Sequence, residues 1–104
     1  MADDPLPPGA PAQLLQLQAL FTAGHAGLAG RIVCAVQDRG RTLPVHAFTL
    51  GNPDPAVPAI GIFGGVHGLE RIGAEVAIAC LRGVVARLRW DESLQRLLER
   101  LRLV

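Results

Sequence analysis

The sequence predicts an α/β domain, and three observations carry that prediction. Two apolar, β-branched runs at residues 31–37 and 43–50 flank the turn cluster Asp38-Arg-Gly-Arg41 and read as an antiparallel hairpin. A third run at 57–63 is short and almost wholly apolar. Around these lie stretches whose apolar residues recur at helical spacing, near 14–21, 70–88 and 94–101.

Taken in order, residues 1–11 hold four prolines, two aspartates and a glycine, too little apolar surface to offset the entropy of ordering, and are expected to form a flexible tail. From Pro11, Leu14, Leu17, Leu20 and Phe21 form a stripe between glutamines, with proline tolerated in the first turn and Gly24 available as the stop. This is an amphipathic helix of about three turns. The hairpin follows, then Asn52-Pro-Asp-Pro as a loop. The 57–63 run has the composition of a strand buried on both faces in the middle of a sheet.

Residues 70–87 are helical in period and apolar on nearly every side. Ile72, Val76, Ala79, Cys80, Val84 and Leu88 are the strongest face, and Gly73 and Gly83 remove bulk so that the helix can lie close to the sheet. Asp91 can cap a third helix with the stripe Leu94, Leu97, Leu98 and Leu101. Leu101-Arg-Leu-Val104 begins to look like another strand. A sheet normally continues before its edges are closed, so the pattern reads as unfinished and the chain as a truncated piece of a larger domain.

Composition narrows the function classes. The 104 residues are half apolar, enough for one domain with a modest core. Net charge is +1, and all ten basic residues are arginines scattered along the chain, which argues against binding nucleic acid or a membrane surface through charge. The N-terminus carries acids where a secretory signal needs bases, and the most apolar segment, 72–85, is too short and too interrupted to span a bilayer. Cys34 and Cys80 lie far apart without CxxC spacing and are expected to be buried, reduced thiols, in keeping with a cytoplasmic protein.

The chemistry concentrates in Ala59-Ile-Gly-Ile-Phe-Gly-Gly-Val-His-Gly-Leu-Glu70. An apolar strand breaks into glycines, where the chain must turn sharply, and delivers His67 and Glu70 three residues apart. Side chains at the carboxyl end of a strand face a crevice, and imidazole with carboxylate is a donor pair suited to Zn²⁺. The alternative reading makes Glu70 a first-turn acid favoured by the helix dipole and His67 a loop residue bonded to backbone. His46 is expected on a sheet face, His25 as a helix cap, and Arg71 as a solvated helix charge. A phosphate-binding loop does not fit, because the glycine spacing matches neither G-x-G-x-x-G nor the lysine-bearing P-loop.

The apolar strand, the segment Gly-Gly-Val-His-Gly-Leu-Glu-Arg-Ile-Gly and the long apolar helix after it resemble the zinc-ligand segment of the metallocarboxypeptidase family, including its aspartoacylase and succinylglutamate desuccinylase relatives. The upstream order of helix, hairpin and proline-bearing loop is compatible, so the resemblance covers about residues 12–104. It implies the amino-terminal part of a mixed β-sheet flanked by helices on both faces, with zinc as cofactor and His67 and Glu70 as two of its three protein ligands.

The resemblance further implies a hydrolase acting on a peptide or an N-acyl amino acid. The second histidine, the general-base glutamate and the carboxylate-gripping arginines of the family come from segments further along, so no catalytic residue is assigned in this chain. Some peptidase members place an arginine just before the ligand glutamate, where this chain has Leu69, which leaves amide deacylation open. A second reading is a non-catalytic α/β module that self-associates as a homo-oligomer through an open sheet edge.

Overall fold

The computed structural model describes residues 6–23, 27–66 and 71–104. It is an α/β arrangement with a four-stranded mixed sheet and three helices, in the order α1 (Ala12–Ala23), β1 (Leu28–Asp38), β2 (Arg41–Gly51), β3 (Ala59–Ile60), α2 (Arg71–Arg87), α3 (Glu92–Leu98) and β4 (Arg102–Leu103). Strand order across the sheet is β1-β2-β4-β3. Contacts divide the chain into two compact units, Met1–Phe48 and Thr49–Val104.

The first unit is a helix on a hairpin. Pro11 opens α1 without sacrificing a needed donor, and its carbonyl accepts from the Leu14 and Leu15 amides. The hairpin turns through Arg39 and Gly40, whose φ values of 49° and 75° are both positive, the signature of a two-residue type I′ turn. Gln37 and Thr42 bond to each other across the strand ends, and Arg41 reaches back to Asp38 at 2.5 Å. Arg41 also donates to the Gly9 carbonyl at 2.6 Å, which ties the proline-rich segment to the hairpin. The core is small and partly aromatic: Leu20 and Phe48 are buried, and Phe21 meets Phe48 edge-on at 6.4 Å between ring centroids. Gly30 makes room for that pair, since a Cβ there would stand 3.0 Å from Phe21 and 3.1 Å from Phe48.

The second unit gathers the last residues of β2 with β3, β4, α2 and α3. β4 runs antiparallel to β2, with Leu50 opposite Leu103, and parallel to β3, with Ile60 opposite Leu103. Leu50 is the most deeply buried large side chain among the described residues. Gly51, at φ 96°, lets the chain leave β2 against the Leu101 carbonyl, 2.4 Å from where a Cβ would sit. The loop that follows is held by Asn52, which accepts from the Asp54 amide and donates to the Glu99 carbonyl, and by Arg102, which donates to the Pro53 and Asp54 carbonyls. Asp91 caps α3 as expected, accepting from the Leu94 amide at 3.1 Å. That bond and the Arg87 guanidinium hold its carboxyl below the usual aspartate range.

Three expectations are corrected. The apolar run at 57–63 is not a central strand buried on both faces: regular pairing is confined to Ala59–Ile60, β3 ends the strand order, and both residues are exposed. Pro58 has no amide to donate, and among the described residues β3 bonds on one side only, through Arg102 N–H to Pro58, Val104 N–H to Ile60 and Ile62 N–H to Val104. The buried face of α2 is not the expected one either. Ile78 and Val85 are buried while Ile72, Val76, Ala79 and Cys80 are exposed, and Gly83 faces open space rather than the sheet. Lastly, Cys34 and Cys80 are free but exposed, because β1 is the other end of the strand order and Cys80 sits on the outer side of α2. No helix among the described residues is long and apolar enough to cross a membrane.

Candidate metal-ligand loop

The strand-to-helix passage after β3 is where the sequence concentrates its chemistry. Beyond Ile60 the backbone stays beside β4 as far as the Ile62 amide, which donates to the Val104 carbonyl at 2.8 Å. The chain then turns through two glycines. Gly65 has a φ of 73°, a region that a side chain disfavours. At Gly64 the demand is for space: a Cβ would fall 2.6 Å from the Gly73 carbonyl oxygen and 2.7 Å from the Ala77 Cβ. Glycine at 64 thus lets the loop lie directly on the first two turns of α2.

That contact also explains which way α2 is rotated. Ala74 and Ala77, small enough to receive Gly64, turn inward, and Ile78, Leu81 and Val85 follow at helical spacing. The glycine this approach requires is Gly64: a Cβ at Gly73 would meet only the Gly65 amide nitrogen at 3.7 Å, an ordinary contact, and one at Gly83 would meet nothing, so neither helix glycine has the bulk-removing role expected of it. Arg71 is the first residue of α2 and is exposed, as a solvated helix charge should be.

His67 and Glu70, the two candidate ligands, lie outside the described residues, as does His25. Their frame is described on both sides, with Val66 at the end of the glycine turn and Arg71 opening the helix. Among the described residues no group of three His, Cys, Asp or Glu side chains is arranged to hold a metal.

His46 belongs to the first unit and to its aromatic cluster, with ring centroids 5.5 Å from Phe21 and 6.0 Å from Phe48. Both ring nitrogens are buried without a hydrogen-bond partner, and burial draws the imidazole pKa below its ordinary value. It is a packed residue of the sheet face. The apolar alternation of β2 already suggested this and places Phe48 on the same face two residues on, whereas Phe21 comes from a contact with α1 that spacing does not reveal. The same unit contains a cavity of about 560 Å³ under the proline-rich segment, lined by residues that include Pro7, Gln18, Ile32 and Arg41, with no acid, thiol or imidazole among the described residues on its walls.

Comparison with protein-family models, with curated proteins and with solved structures yields no match.

Proposed function

We propose that the loop after β3 is a zinc-ligand segment, with His67 and Glu70 as two ligands of a metallocarboxypeptidase-like hydrolase that cleaves a peptide or an N-acyl amide bond. The observation that carries this reading is the frame around the pair. β3, parallel to its neighbour, is followed by a turn through Gly64 and Gly65, that turn lies close on α2 at Gly64, and α2 starts at Arg71, so the segment connects a strand's carboxyl end to a helix N-terminus. In α/β sheets that junction is where ligands are bound.

The donor set fits the metal, since one imidazole nitrogen and one carboxylate are ordinary partners for zinc. Bound zinc supplies carbonyl polarisation and a water acidified to a pKa of about 7. His67 would bind through a neutral ring nitrogen, so metal affinity falls as the imidazole protonates. Glu70 would contribute its charge at the positive end of α2. Both side chains are then occupied as ligands, and neither is free to move the proton in hydrolysis. Two protein ligands hold zinc less tightly than three, so these 104 residues are expected to bind zinc weakly and to hydrolyse nothing by themselves.

Zinc measured by mass spectrometry after equilibrium dialysis against zinc-containing buffer tests the reading. The chain should retain metal above buffer background, and His67→Ala and Glu70→Ala should each bring it down to background. Equal zinc in the parent chain and in His67→Ala contradicts the assignment.

A second reading, a non-catalytic module that associates through its sheet, is favoured by one observation. β3 lies at the margin of the sheet, Ile60 is exposed, and Phe63 just beyond it is 81 % exposed.

A further inference from the structure

The outer face of α2 has features that neither reading uses. Ile72 and Val76, 75 % and 62 % exposed, begin a stripe that continues at helical spacing through Ala79, Gly83 and Ala86, all exposed. The stripe is graded: its N-terminal half carries large side chains and its C-terminal half small ones, and a Cβ at Gly83 would meet nothing within 4 Å. One flank carries Glu75 and Arg82, seven residues apart and therefore separated by only about 20° around the helix and about 10 Å along it.

We infer that two copies of this chain associate through α2, with the helices antiparallel about a dyad at the level of residues 78 and 79. In an antiparallel pair the graded stripe is complementary to itself. Ile72 of one copy comes level with the gap between Gly83 and Ala86 of the other, and Val76 comes level with the gap between Ala79 and Gly83. The charges obey the same symmetry. Flanks on the same side meet across an antiparallel pair, so Glu75 of each copy comes level with Arg82 of the other, and a single dyad forms two opposite-charge contacts at once. Parallel pairing would set large against large and would leave the two charged flanks on opposite sides of the seam, out of reach of each other. A face that matches its own inverse in both size and charge selects a second copy of the chain as its partner. The inference is independent of the zinc reading, and it names a surface other than the sheet margin.

Sedimentation velocity of the intact chain under reducing conditions tests it. The mass should rise with concentration from one chain toward two, and Val76→Glu should weaken association roughly tenfold or more by placing a charge in the apolar stripe. Glu75→Arg and Arg82→Glu should each weaken it about five- to tenfold, because each change acts twice across the dyad. The double reversal, Glu75→Arg with Arg82→Glu, should restore association to within about threefold of the original. Far-UV circular dichroism of each variant confirms that the helices are retained. A single-chain mass at every concentration, a dimer indifferent to Val76→Glu, or a double reversal no better than the single ones overturns the inference.

Discussion

Of the three histidines, His46 alone lies within the described residues, and its surroundings penalise charge. Phe21 and Phe48 enclose the ring, α1 contributes no ionisable side chain, and both ring nitrogens lack partners. Burial lowers its pKa in the folded chain below the ordinary 6.5, so the unfolded chain takes up the proton first as pH falls. Stability from the neutral ring is therefore complete above about pH 6.5 and is lost as pH drops below that value toward the depressed folded pKa. Urea unfolding followed by circular dichroism should show a lower midpoint at pH 5.5 than at pH 7.5. His46→Leu should abolish the His46 part of that difference, raising stability by about 1 kcal/mol at pH 7.5, because it removes polar atoms buried without partners, and by more at pH 5.5, where the charge penalty is also removed. A midpoint equally pH-dependent in His46→Leu would show that the ring is not the source.

At the scale of elements, α2 shows where sequence reasoning succeeds and where it stops. Its existence, length and end were legible because its spacing is helical over five turns and no proline interrupts it. Its rotation was not, because a helix that is apolar on nearly every side offers no contrast between faces. What decides the rotation is a non-local contact, Gly64 on Ala74 and Ala77. The packing predicts that Ile78→Ala, at a position 4 % exposed, costs about 2–4 kcal/mol, whereas Ile72→Ala, at one 75 % exposed, stays within about 0.5 kcal/mol in dilute solution. Comparable losses for the two in chemical denaturation would mean that the helix is turned the other way.

The run at 57–63 failed for a related reason. An apolar strand at a sheet margin and one at its centre have the same composition, and neighbours, not residue types, distinguish them. Signals confined to a few adjacent residues were read correctly: Pro11 at the start of α1, the turn at Arg39 and Gly40, Asp91 capping α3, and Leu101-Arg-Leu-Val104 as a strand.

For the whole molecule, contacts divide the chain into two units with thin cores, each with large apolar side chains left at the surface, among them Val33 and Val36 in the first and Phe63 and Ile72 in the second. A protein this size buries a smaller fraction of its surface than a larger one, so its remaining apolar area is available to further chain or to a partner. The candidate site follows the same logic. Two donors three residues apart are legible because one loop carries both, whereas a third ligand has no local signature, since metal sites collect residues from distant segments.

The account turns on whether zinc engages the loop between β3 and α2, and nitrogen-detected NMR of the three imidazoles during a zinc titration tests that most directly. The His67 ring nitrogens should shift and broaden at the lowest zinc additions, while those of His46, shielded by its aromatic neighbours, stay in place. A titration that moves His25 or His46 and leaves His67 unchanged would contradict the account.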